Sequence, residues 1–158
     1  MYTVAIIEDE QPDAERLIQF LTRYRDEKSI PLQWEWVHSG EALLSQYHMQ
    51  YDIIFMDIRM QGTNGMQTAH RLREKDQTVI LIFLTSLSQY AMQGYEVDAL
   101  AYILKPVTYP ALRMKMEKAL SRCRKEAPAI IIDTGYQTVS VNADDLKYVE
   151  IFEHHIQY

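Results

Sequence analysis

Cysteine is nearly absent from this chain: Cys123 is the only one in 158 residues. That excludes an intrachain disulfide and any metal centre built from cysteines, and it suits a reducing compartment. Long apolar runs are missing as well. None approaches the roughly 20 residues needed to cross a bilayer, and Glu8, Asp9 and Glu10 follow Met1 too closely for a secretory leader, so a cytoplasmic location with no membrane partner is expected. Basic charge is in deficit, with 16 Lys and Arg against 22 Asp and Glu, a formal net charge of −6. Such a chain has no general attraction to nucleic acid. Glycine is scarce at five residues, and the densest stretch is Gln61-Gly62-Thr63-Asn64-Gly65. What the chain has in quantity is apolar residues, 47% of the total, enough at this length for one good core with residues left over but hardly for two full domains.

Strand-type and helix-type patterns alternate five times along the first 124 residues. Val4 to Ile7 reads as a buried strand, and Ala14, Leu17, Ile18 and Leu21 recur at helical spacing behind a helix start at Pro12-Asp13. Gln33 to Val37 is the second strand, followed by a short helix that Ser39 can cap and that carries Ala42, Leu43 and Tyr47. Ile53 to Met56 is the third, closed by Asp57, and the glycine-containing loop leads into a helix from Met66 to about Arg73. Val79 to Leu84 is the fourth and the most apolar, followed by a helix from Ser88 to about Tyr95. Ala101 to Leu104 is the fifth. The last helix, from about Tyr109 to Arg124, gathers Leu112, Met116 and Leu120 on one face. This order fits a doubly wound α/β fold, a five-stranded parallel sheet of the flavodoxin-like order 2-1-3-4-5.

Four of the apolar runs end on residues suited to phosphoryl chemistry: Glu8-Asp9, Asp57, Thr85 and Lys105. In a parallel sheet the ligand crevice lies beyond the carboxyl ends of the strands, so these residues converge on one site. Three carboxylates packed together repel one another unless a cation or a proton offsets them, which points to a hard divalent metal bound through oxygen. The hydroxyl and the ammonium then suit a phosphoryl group. Histidine offers no competing site, since His38, His48 and His70 fall on different elements without metal-ligand spacing, and the adjacent His154 and His155 of a strand would face opposite ways.

Glu8-Asp9 after the first strand, Asp57 after the third, Gly65 eight residues later, Thr85 after the fourth and Lys105-Pro106 after the fifth together resemble the receiver domain of two-component response regulators, over about residues 1 to 124. The resemblance implies that Asp57 is the phosphoacceptor, taking a phosphoryl group from the phosphohistidine of a sensor histidine kinase as an acyl phosphate. It implies Mg²⁺ held by Glu8, Asp9, Asp57 and the backbone carbonyl of Arg59, and Lys105 as a phosphoryl ligand that pairs with Asp57 beforehand. It also implies a cis peptide between Lys105 and Pro106, and a switch in which Thr85 follows the phosphoryl group and Tyr102 turns inward behind it. Ser86 leaves a small side chain over the pocket. Phosphorylation is expected to reshape the face formed by the fourth helix, fifth strand and last helix and to promote a homodimer. No enzymatic turnover is implied beyond self-phosphorylation and autodephosphorylation.

After Arg124 the character changes. Lys125 to Pro128 reads as a linker, and residues 129–158 as a short β-rich segment with strands at Ala129 to Asp133, Thr138 to Val141 and Lys147 to Phe152. This segment resembles the opening of a LytTR-type DNA-binding domain, truncated at Tyr158, so promoter DNA and transcriptional control are expected only of a full-length parent. Five acidic residues against Lys147 alone leave this tail unable to grip phosphates, and its unpaired strand edges are expected to form dimer contacts or stay mobile. Two other classes stay open. A phosphatase of the haloacid dehalogenase type also uses an aspartyl nucleophile with Thr, Lys and Mg²⁺, but wants a second acid two residues on, where Arg59 stands. A receiver-like docking module that ignores phosphorylation usually lacks part of the acidic cluster or the lysine, and nothing is missing here.

Overall fold

The computed structural model describes residues 1–86, 96–126, 129–133, 136, 138–142, 150–152 and 155–157. The expected helix from Ser88 to Tyr95 lies outside these. The chain divides into two compact units, Met1–Ala119 and Leu120–Tyr158. In the first, β1 (Tyr2–Ile7), α1 (Gln11–Lys28), β2 (Leu32–Val37), α2 (Gly40–Gln46), β3 (Ile53–Asp57), α3 (Gly65–Lys75), β4 (Ile80–Thr85) and β5 (Ala101–Leu104) precede the long helix α4 (Tyr109–Glu126). The five strands form one parallel sheet in the order β2-β1-β3-β4-β5. This is the flavodoxin-like arrangement.

Burial explains the sequence pattern of each strand. β3 and β4 are buried at every residue, as central strands covered by helices on both faces must be, and their composition is correspondingly unbroken by polar residues until Asp57 and Thr85. At the edge, β2 is buried only at its two ends. Alternation along the strands sends Ala5, Ile7, Ile54, Met56, Leu81 and Phe83 to one face, where they share a core with Leu43, Ala69 and Leu72 of α2 and α3. On α1, Ala14, Leu17, Leu21 and Tyr24 are buried. This helix meets the start of α4 through the Phe20 and Tyr109 rings and the Lys28–Glu117 ion pair.

Local signals set the helix starts. The Ser39 hydroxyl accepts from Ala42 N at 3.1 Å, and Asn64 Oδ1 accepts from Gln67 N at 2.9 Å, each satisfying a donor that a first turn leaves open. α4 runs to Glu126, two residues into the segment read as linker, because Lys125 and Glu126 are good helix formers and the first breaker is Pro128. The second unit contains the end of that helix and two antiparallel pairs, β6 (Ala129–Asp133) with β7 (Thr138–Asn142) and β8 (Glu150–Phe152) with β9 (His155–Gln157).

One buried polar cluster fastens α3 to β4. Asp76 accepts from the Tyr47 hydroxyl at 2.6 Å and from Thr78 N, Thr78 Oγ1 and Val79 N. Burial raises its pKa, but these donors outweigh burial and leave the carboxyl below its ordinary value of 3.8. A carboxyl depressed by folding stabilises fully above the ordinary value and loses that contribution as pH falls through the lower, folded one. Asp76→Asn is therefore expected to cost about 1–3 kcal/mol at neutral pH. In urea unfolding, the gap between wild type and variant should close as pH falls below 3.8.

Candidate functional site

The ends of β1, β3, β4 and β5 meet at one edge of the sheet. β1 stops at Ile7, so Glu8 and Asp9 fall just past its carboxyl end, while Asp57 and Thr85 are the last residues of β3 and β4. Lys105 follows β5, and its amide donates to the Thr85 carbonyl at 2.8 Å. The peptide between Lys105 and Pro106 is cis.

Lys105 is the hub of this site. Its ammonium lies 2.6 Å from Asp57 Oδ2, 2.8 Å from Glu8 Oε2 and 2.9 Å from Asp13 Oδ2. The ammonium donates to Glu8 and Asp57, and Asp13 completes the set as a third ion pair. Burial alone would lower the lysine's pKa, but the three carboxylates overcome it and hold the amine firmly protonated. Glu8 is fully buried. That burial, joined by repulsion from Asp57, pushes its carboxyl up to about 7 even against Lys105. The remaining Asp57 oxygen, Oδ1, accepts from the Arg59 amide at 3.0 Å.

A divalent cation fits what these residues leave unsettled. Glu8, Asp9 and Asp57 each offer a carboxylate oxygen within 4.8 Å of the others, and one lysine does not balance three acids at that separation. Asp9 Oδ2 accepts from Gln61 N at 2.9 Å, while its Oδ1 is buried without a hydrogen-bond partner. An acceptor-only oxygen buried in this way is costly unless a cation meets it.

The loop after β3 is shaped around the site by backbone contacts. Ile58 N donates to the Leu84 carbonyl, and Gly65 N returns to the Ile58 carbonyl at 3.0 Å. Gly62 sits at φ +81°, in the left-handed region where glycine costs least. Thr85 is buried. Tyr102 is half-buried on β5, its ring stacked on Phe83 with centroids 5.4 Å apart.

Three contributors escaped the reading of the sequence. Asp13 was legible only as part of a helix start, although its place four residues after Asp9 in the first turn of α1 was the available signal. Trp36 donates its indole N–H to the Glu8 carbonyl at 2.8 Å. Glu41 Oε1 accepts from Thr63 N at 2.8 Å and pins the far side of the loop. Neither pairing has a sequence signature, because each joins residues more than twenty positions apart.

The family model of the response regulator receiver domain matches residues 4–117. The chain belongs to that family. The receiver is similar to the sensory transduction protein LytT of Oceanobacillus iheyensis, 31% identical over 80% of this chain and 52% of that protein. It is also similar to the positive alginate biosynthesis regulatory protein of Pseudomonas aeruginosa, 32% identical over 80% of this chain and 50% of that one. The chain thus spans about half the length of the curated relatives it matches. A response regulator receiver domain protein from Clostridium thermocellum shares the fold with a TM-score of 0.68, over 79% of this chain and 98% of that one, at 18% identity. Receivers are in general non-enzymatic signalling modules, and no described helix of this one is long and apolar enough to cross a membrane.

Proposed function

We propose that this receiver takes a phosphoryl group on Asp57 from the phosphohistidine of a sensor histidine kinase and passes the change to an output segment behind it. The observation that carries the reading is the Lys105 ammonium bridging Asp57 and Glu8 beside the unpaired Asp9 oxygen. Glu8, Asp9 and Asp57, with the Arg59 carbonyl, would hold Mg²⁺, which when bound neutralises charge on the phosphoryl oxygens. An Asp57 carboxylate oxygen attacks phosphorus, the P–N bond to the imidazole breaks, and its electron pair leaves on the histidine. Lys105 receives a phosphoryl oxygen and holds the acyl phosphate in place. Arg59 at the second position after Asp57 supplies no acid for turnover, so self-phosphorylation and slow autodephosphorylation are the only chemistry assigned.

Thr85 stands at the adjoining strand end and would donate its hydroxyl to the phosphoryl group, with Tyr102 following inward. The added charge, about −1.5 to −2 at neutral pH, is enough to bias a two-state element that contacts it differently in its two states. The face around β5 and α4 would then change and favour a homodimer. Residues 129–158, behind a receiver ending near residue 124, support a LytTR-type output, with promoter DNA and transcription as its targets in a longer cytoplasmic protein.

Incubation with acetyl phosphate tests this reading. Wild type should gain hydroxylamine-labile phosphate with Mg²⁺ and none once the metal is chelated. Mg²⁺ alone should change the emission of Trp36, whose indole holds the Glu8 carbonyl. That response should vanish in Trp36→Phe and survive in Trp34→Phe. Equal labelling with and without Mg²⁺ would remove the metal from the account.

A further inference from the structure

The third carboxylate on Lys105 has no part in the chemistry above. Asp13 reaches the ammonium from the first turn of α1, where the helix dipole favours a negative charge. Its position differs from that of the other two. The side chains of Glu8 and Asp57 are 0% and 5% exposed and that of Lys105 is 14% exposed, whereas that of Asp13 is 33% exposed. Asp13 is therefore the most solvent-exposed of the three carboxylates that pair with the ammonium.

Those inner carboxylates are the ones a cation needs. An amine bound only to Glu8 and Asp57 would compete with a divalent ion for the same two carboxylates, and each oxygen yielded to the ion would weaken the pairing of a buried ammonium. We propose that Asp13 is a positioning residue: it gives Lys105 a partner to keep, and so raises the affinity of the acidic pocket for Mg²⁺. The inference rests on the phosphoacceptor reading and concerns how its metal is admitted. Two effects act in the same direction, because loss of the Asp13 charge also makes the pocket less negative. They are separable. The charge effect survives removal of the lysine, whereas the positioning effect exists only while Lys105 is there to be held.

The test is a double-mutant cycle read by Mg²⁺ titration, followed by Trp36 emission and by calorimetry, on wild type, Asp13→Asn, Lys105→Met and the double variant. Asp13→Asn should weaken Mg²⁺ binding roughly fivefold, and Lys105→Met should tighten it, by removing the competing cation. In the Lys105→Met background the cost of Asp13→Asn should shrink to about twofold or less, the non-additivity being the signature of coupled residues. Asp13→Ser, which removes the charge but keeps a residue suited to a helix start, should reproduce the loss and guards against a misfolded Asn variant. An unchanged affinity in both Asp13 variants overturns the inference, and so does an equal loss in both backgrounds. A wild type that binds no Mg²⁺ overturns the phosphoacceptor reading itself, an outcome distinct from either.

Discussion

Asp57→Asn should abolish phosphoryl uptake from acetyl phosphate, with labelling falling at least a hundredfold to background while the fold survives. The amide cannot act as the attacking carboxylate, yet it matches the shape of the native side chain and can still accept from Arg59 N through Oδ1. It does not match the charge. The ion pair of 2.6 Å to Lys105 is lost, but Glu8 and Asp13 still hold the ammonium, and repulsion on the buried Glu8 is relieved. Stability should therefore change little or rise, since removing one of several packed like charges is not the same as breaking an isolated pair. Activity and stability part company at this residue, as expected where like charges are gathered for function. Labelling of Asp57→Asn at the wild-type rate would place the phosphate elsewhere.

Gly65→Ala should be the most damaging conservative change near the site. A Cβ there would stand 2.1 Å from the Asp57 carbonyl oxygen and 2.9 Å from both the Asp57 carbonyl carbon and Ile58 Cα. All three atoms are backbone, so no rotamer relieves the clash. Either the bond from Gly65 N to the Ile58 carbonyl opens or the end of β3 moves, and the structure loses about 1–3 kcal/mol. A shift of Asp57 by a fraction of an ångström against Lys105 should also slow phosphorylation by roughly ten- to a hundredfold. Gly40 supplies the control. Its added Cβ would meet the Thr68 side chain, Oγ1 at 1.9 Å, so Thr68→Ala should restore much of the stability lost in Gly40→Ala. No second substitution should rescue Gly65→Ala. Urea unfolding and labelling rates measure both effects, and a Gly65→Ala chain with wild-type stability and rate would refute the close approach.

The fold was legible because parallel strands announce themselves twice. Runs such as Ile53 to Met56 and Val79 to Leu84 are apolar throughout since both faces of the sheet are covered, and each breaks abruptly at a polar residue where the sheet stops. That same break marked Glu8, Asp57, Thr85 and Lys105 as neighbours, because a parallel sheet aligns its strand ends. Asp13 was not marked. It lies on a helix rather than at a strand end, and its reach to Lys105 depends on how α1 is set over β1, which no local spacing records. Trp36 and Glu41 were hidden for a related reason: each acts on backbone groups, the Glu8 carbonyl and the Thr63 amide, and backbone carries no sequence signal. The end of α4 was misplaced where helix propensity persisted past the change in composition.

Borohydride reduction of the phosphorylated chain tests the central claim most directly, because it converts an aspartyl phosphate into homoserine and leaves free carboxylates untouched. After treatment with acetyl phosphate and Mg²⁺, peptide mass spectrometry should find homoserine at position 57 and at no other aspartate. Reduction at Asp9 or Asp13 instead, or at no residue of a chain that has taken up phosphate, would contradict the account.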